Sequence, residues 1–169
     1  MSTLDIGIDL GTCNILAGTL RRGVMVREPS VIALRPKTGE IIEIGEKAYG
    51  MLGRTHHGIE IVRPIEDGVV SDFRMAQALL KYLIGKVSRN HLLKPRVICC
   101  VPSILSGVES QSVIDAGIHA GARQMCLIDE PVAAAIGAGM DIEKAGGCMV
   151  VDIGGGTSDF AVLSLGGVV

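Results

Sequence analysis

Two short segments of the chain share one pattern: Ile8-Asp9-Leu10-Gly11-Thr12 and Val151-Asp152-Ile153-Gly154-Gly155-Gly156-Thr157. Each places an aspartate at the end of an apolar run, then glycine, then threonine. A glycine turn lets backbone N–H groups approach an anion with no side chain in the way. The threonine hydroxyl adds a donor. An aspartate beside a phosphate would repel it unless a cation lay between them. Mg²⁺ held through one or two carboxylates, keeping its waters, meets that need. Two such turns facing each other can hold a triphosphate, so the intervening residues are expected to fold back and bring them together. Glycine turns also occur in plain hairpins, and it is the matching pair that favours phosphate binding.

The residues between the turns read as an α/β unit. Leu4 to Ile8, Ile15 to Thr19 and Val24 to Val26 form three short runs separated by tight turns, the pattern of an antiparallel meander. Val31 to Leu34 and Glu40 to Ile44 flank Pro36-Lys37-Thr38-Gly39, a second hairpin. Asp72 can cap a helix whose inward positions are Phe73, Ala76, Leu80, Leu83, Ile84 and Val87. Ser106 with Glu109 fits a capping box, with Gly121 at the far end. Pro131 suits the first position of a third helix running through Ala133 and Ile136. Arg96 to Val101 and Gln124 to Ile128 lie between helices and read as buried parallel strands. Met149 to Ile153 and Phe160 to Leu165 form a last hairpin around the second glycine turn. Alternation of this kind predicts α/β with a mixed sheet.

Composition narrows the function classes. Lys plus Arg is 16 against 18 for Asp plus Glu, without the basic excess of a nucleic-acid binder. Two Phe, two Tyr and no Trp give no stacking platform for single strands. No nucleic-acid partner is expected. No run reaches the length of a membrane-spanning helix, and the first residues lack the basic and apolar character of a signal peptide. The five cysteines form no C-x-x-C pair, and Cys99, Cys100 and Cys148 lie in apolar runs. Buried, reduced thiols in a cytoplasmic protein are expected. Neither G-x-x-x-x-G-K-[ST], nor a strand followed by G-x-G-x-x-G, nor G-x-S-x-G is present.

Glu130, in Ile128-Asp129-Glu130-Pro131, sits just before a helix start. There it can be no more than a favourable anion at a helix N-terminus. It can also orient or deprotonate a water attacking a terminal phosphate.

The two turns together with Glu130-Pro131-Val132-Ala133-Ala134-Ala135-Ile136-Gly137 resemble the actin and seventy-kilodalton heat-shock ATPase superfamily. Within it, Glu28-Pro29-Ser30-Val31, Met51-Leu52-Gly53-Arg54-Thr55, Arg63-Pro64-Ile65-Glu66-Asp67-Gly68-Val69 and Leu93-Lys94-Pro95-Arg96-Val97 are similar to the MreB family of bacterial actins. The resemblance implies an actin-like, ribonuclease H-like ATPase fold with a mixed five-stranded sheet. It implies a large subdomain from 1–31 and 64–146, a small outer subdomain at 32–63, and the first hairpin of a second lobe at 147–169. It also implies that the other two subdomains and the adenosine pocket lie beyond Val169, so that this chain resembles the N-terminal half of the fold.

The roles it implies follow by position. Asp9 and Asp152 would hold Mg²⁺ through water. Gly11, Thr12, Cys13 and Asn14 would form the first phosphate loop, and Gly154, Gly155, Gly156 and Thr157 the second. Glu130 and Asp152 would be catalytic, Glu130 by positioning the attacking water. ATP and Mg²⁺ are the implied cofactors. The implied function is an ATP-dependent cytoskeletal filament that determines cell shape by organising cell-wall synthesis. Its implied partners are filament protomers, cell-wall synthesis proteins and the inner face of the cell membrane. Leu92 and Leu93 are then candidates for a membrane-touching loop, or for leucines packing inward. A non-polymerising chaperone-like ATPase of the same superfamily, or a nucleotide-incompetent fragment, are the alternatives. With half a cleft, the polypeptide alone is expected to be a weak ATPase or none.

Departures from the family pattern are few. Cys13 stands where alanine is usual, and Glu109-Ser110-Gln111 replaces a Glu-Arg-Arg helix start. His56 and His57 are adjacent, point apart, and read as a solvated loop rather than a metal pair.

Overall fold

The computed structural model of the chain describes residues 4–54, 58–66, 69–70, 72–88 and 94–169. Its centre is a five-stranded mixed sheet in the order β10-β9-β1-β2-β3. Strands β1 (Asp5–Leu10), β2 (Asn14–Thr19) and β3 (Gly23–Pro29) form the antiparallel meander. Strands β9 (Arg96–Val101) and β10 (Gln124–Asp129) join it in parallel, β9 against β1. Arg96 clasps Asp5 across that junction through two hydrogen bonds of 2.7 and 2.8 Å.

An outer three-stranded sheet has the order β5-β4-β6. It contains β4 (Ile32–Arg35), β5 (Glu40–Ile44) and β6 (Glu60–Val62), with the single turn of α1 (Glu46–Tyr49) following β5. A two-stranded ribbon, β7 (Ile65–Glu66) with β8 (Val69–Val70), leads into the helices. A third sheet joins β11 (Cys148–Ile153), β12 (Ser158–Ser164) and the short β13 (Gly167–Val168). The expected last hairpin is therefore three-stranded.

Helix α2 (Phe73–Val87) starts where Asp72 accepts the backbone N–H groups of Arg74 and Met75. Its buried stripe is Ala76, Leu79, Leu80, Leu83, Ile84 and Val87. Phe73, expected inside, is exposed: it is the first helical residue, beyond the edge of the core, and its ring meets His119 edge-on at 6.1 Å. Leu79 takes the missing inward position, fully buried. Helix α3 (Gly107–His119) opens with the expected capping box between Ser106 and Glu109. Gly121 follows its C-cap Ala120.

Helices α2 and α3 pack beside each other against the main sheet, enclosing Ile6, Ile8, Ile15, Val97 and Met125. Only that face of β9 and β10 is covered along its length. Strand β9 therefore alternates in burial, β10 does so only over its first three residues, and Ile98 on the other face of β9 is half exposed rather than buried as expected. Of the cysteines expected inside, Cys99 is buried, while Cys100 and Cys148 are only partly covered.

Helix α4 (Glu130–Gly137) begins one residue earlier than expected, so Pro131 stands second. The extended Asp129 is its N-cap, and Pro131 in the first turn gives up no intrahelical hydrogen bond. Helix α4 covers one face of β11 and β12 through Ala135, Ala161 and Leu163. The opposite face of that sheet presents Met149, Val151, Ile153, Phe160 and Val162 to solvent. Leu92, Leu93, His56 and His57 lie outside the described residues.

Candidate functional site

The two glycine turns meet. One follows β1 and the other joins β11 to β12, and they border a cavity of about 410 Å³. Parallel strands β1, β9 and β10 run in register, Asp9 beside Cys100 and Cys100 beside Ile128. The C-terminal ends of these strands therefore open on the cavity, as open α/β sheets commonly present their ligand sites. Asp9 lies at the end of β1, Asp152 near the end of β11, and Glu130 at the head of α4 directly after β10. All three line the cavity.

From the first turn Gly11, Thr12, Cys13 and Asn14 contribute to the lining; from the second, Gly154, Gly155 and Thr157 do. The second turn is closed by one backbone bond, the Gly154 N–H donating to the Thr157 carbonyl at 2.9 Å; the first is tied to the end of β3, where the Ser30 N–H donates to the Cys13 carbonyl at 2.9 Å. Gly156 is the one expected loop residue outside the lining. It faces Thr12 instead, so closely that a Cβ there would lie 2.6 Å from the Thr12 methyl. Gly155 faces Cys13, and a Cβ on it would run into the Cys13 sulfur. The two turns thus pack on each other as well as on the cavity, and both contacts depend on glycine having no side chain.

The electrostatics are one-sided. Among the described residues lining the cavity, three are carboxylates and none is Lys or Arg. Burial pushes the Asp9 carboxyl up, and the nearby Asp152 adds to this. Burial, then Asp9, Asp159 and Asp152, push Glu130 up to about 7. The Cys100 thiol is pushed up to about 12 by burial, Asp9 and Glu130, which keeps it protonated.

Two features escaped sequence reasoning. Cys100 reaches the lining because register sets it beside Asp9, which an isolated apolar run does not reveal. Asp159 pairs across the hairpin with Asp152 and acts on Glu130. Its signal was available: residues 152 and 159 stand equally far from the four-residue turn between them.

The described residues contain no group of three or more His, Cys, Asp or Glu able to hold a metal directly. No described helix is long and apolar enough to cross a membrane.

Known proteins are similar to this chain in sequence and fold. The chain is 45% identical over 170 residues to the cell shape-determining protein Mbl of Bacillus cereus (strain ATCC 10987 / NRS 248), a match covering 100% of this chain and 51% of the relative. It thus spans about half the length of the curated relatives it matches. The crystal structure of MreB 5 of Spiroplasma citri bound to AMPPNP superposes with a TM-score of 0.87 at 37% identity, over 100% of this chain and 51% of that one. The MamK double helical filament superposes with a TM-score of 0.79 at 21% identity, over 98% of this chain and 51% of that one, a likeness of fold alone. Residues 3–169 match the family described as MreB/Mbl protein. This chain, with its actin-like fold and paired glycine turns, belongs to the MreB/Mbl family.

Proposed function

We propose that the chain binds Mg·ATP between its two glycine turns, as part of an actin-like filament that determines cell shape by organising cell-wall synthesis. The observation that carries this reading is the meeting of Asp9, Asp152 and Glu130 with two glycine turns around one cavity. The relatives supply the biology: Mbl is a cell shape-determining protein, and MreB 5 of Spiroplasma citri was crystallised with AMPPNP.

The donor set fits Mg²⁺. Two half-buried carboxylates from different sheets line one cavity, and the charge of Asp152 adds to burial in pushing the Asp9 carboxyl up. Bound there, Mg²⁺ would neutralise the charge of the β- and γ-phosphates. The backbone N–H groups of residues 11–14 and 154–157 would cradle the phosphate oxygens. Glu130 would orient the attacking water and take its proton as the bond to the γ-phosphorus forms and the bond to the ADP oxygen breaks. A carboxyl raised to about 7 is well matched to that exchange near neutral pH.

The subdomain division follows the same reading: a large subdomain from 1–31 and 64–146, a small outer one from 32–63, and the start of a second lobe at 147–169. Filament protomers, cell-wall synthesis proteins and the inner face of the cell membrane are the partners, and the cytoplasm is the location.

Calorimetry of Mg·ATP binding to the 169-residue chain tests the site, with Asp9→Ala as control. Binding that requires Mg²⁺ and disappears in the variant is expected. No binding to the parent chain would make the paired turns inherited sequence without a formed site. Electron microscopy with and without Mg·ATP tests the filament.

A further inference from the structure

Helix α2 makes two polar contacts that bear on the outer sheet, one direct and one through Glu28 of the main sheet. In its first turn Arg74 donates from Nη2 to the Gly39 carbonyl at 3.2 Å, at the tip of the β4–β5 hairpin. Towards its other end the Tyr82 hydroxyl donates to Glu28 Oε2 at 2.6 Å. Lys86 Nζ stands 3.4 Å from Glu28 Oε1 and 5.1 Å from the centre of the Tyr82 ring. The same Glu28 Oε2 accepts the backbone N–H of Glu46 at 3.1 Å. Glu28 belongs to β3 of the main sheet, and Glu46 opens α1, which packs on β4 and β5. One carboxylate therefore ties together the main sheet, α2 and the outer sheet. Residues 82 and 86 are four apart and lie one above the other on the helix, while Arg74, in the first turn, is turned away from them around its polar side.

Both points land beside a glycine with left-handed backbone. Gly39 has φ +68° and Gly45 has φ +71°. A Cβ on Gly39 would lie 2.9 Å from Arg74 Nη2, and one on Gly45 would run into Glu28 Oε2. Each glycine thus serves its turn and leaves the room its partner needs. Burial alone would raise the Glu28 carboxyl, but the Tyr82 hydroxyl, the Glu46 N–H and Lys86 outweigh it and hold it below the usual carboxylate range. Two residues on, Ser30 donates its N–H to the Cys13 carbonyl in the first glycine turn. The segment that anchors the outer sheet is the same one that bonds to that turn.

We propose that these contacts form a latch: α2 holds the outer sheet directly at Gly39 and, through Glu28, at Glu46, and the Glu28–Ser30 segment links its state to the first glycine turn. Releasing the latch frees the outer sheet to move relative to the main sheet and loosens the turn behind Cys13. The latch needs no bound ligand, so it stands or falls apart from the nucleotide reading.

Hydrogen exchange on the 169-residue chain without nucleotide tests it. The double variant Arg74→Met/Tyr82→Phe removes both hydrogen bonds of Arg74 and Tyr82, leaves only the half-exposed Lys86 ion pair, and keeps the bulk of the side chains. Amides of β4, β5, Glu46 and Ser30 are expected to exchange about tenfold faster, the size set by losing one to two hydrogen bonds. Those in β1 and β9 should stay unchanged. Outer-sheet exchange equal to that of the parent would overturn the latch, and so would equal acceleration in β1 and β9, which would mark these contacts as general stabilisers. Acceleration of the outer sheet without Ser30 would overturn the link to the turn. Gly45→Ala drives a methyl against Glu28 with both donors intact and should give the same pattern; an unchanged Glu46 amide there would also overturn the proposal.

Discussion

Asp152 on β11 and Asp159 on β12 are direct cross-strand partners. Their side chains leave the same face of the sheet, the one α4 covers, and α4 begins with Glu130. Three carboxyls thus share one corner of the fold. Glu130, raised to about 7 by burial, Asp9, Asp159 and Asp152, bears the consequence.

The first prediction concerns pH. An unfolded Glu130 titrates near 4.5. Between roughly pH 4.5 and 7 the folded chain keeps a proton that the unfolded chain has released, so stability falls as pH rises through that window. The side chain is partly open to water, which screens the effect, so the expected loss is about 1–2 kcal/mol. Urea midpoints at pH 5 and pH 8, without divalent cation, should show it. Glu130→Gln should remove that component, and an equal fall in the variant would assign it to other groups.

A second prediction concerns Mg²⁺. The repulsion between Asp9 and Asp152 is the charge that a cation would relieve. At a hundred times its Kd, Mg²⁺ should stabilise the chain by about 2.7 kcal/mol. Asp9→Asn should abolish this response and be no less stable than the parent in metal-free buffer. Thermal melts across a Mg²⁺ series decide it; identical responses in both proteins would remove Asp9 from the cation site.

The contact between the two turns gives a third. A methyl on Gly155 runs into Cys13. Gly155→Ala should cost about 1–3 kcal/mol of stability and weaken Mg·ATP binding. Cys13→Ala in the same chain should restore part of the loss, because its Cβ would still lie 2.9 Å from the new methyl. Additive effects of the two substitutions would mean that the turns do not press on each other.

The fourth tests a helix start. Asp72 accepts two backbone N–H groups at the head of α2, at 2.7 and 3.3 Å. Asp72→Ala should cost about 1 kcal/mol, or about 2–4 °C in Tm for a domain of this size, and Asp72→Asn much less. Equal melting of parent and alanine variant would place the helix start under tertiary control.

Much of the fold was legible because local signals agreed with it. The cap at Asp72, the capping box at Ser106 and the turn chemistry at Pro36 to Gly39 are short-range, and each marks its element in the structure. The five-stranded sheet followed from strand order and the resemblance. Burial was harder to read. Ile98 lies in an apolar run, yet its side of β9 is left half open. Phe73 has the right spacing but stands at the end of its helix, past the core. The site divided in the same way. Ten of the eleven expected cleft positions line the cavity, whereas Gly156 supports Thr12. Cys100 depends on inter-strand register, and the contacts of Glu28 depend on a helix more than fifty residues away, |i−j| = 54 for Tyr82. Neither has a short-range signature.

The pairing of β1 with β9 also sets a clock. Asp5 must find Arg96, 91 positions further on, before the parallel part of the main sheet can close. At roughly 5–20 residues per second, a ribosome finishes the first strand about five to twenty seconds before it delivers that partner. The meander β1–β2–β3 must wait through this interval with the β9-facing edge of β1 unpaired.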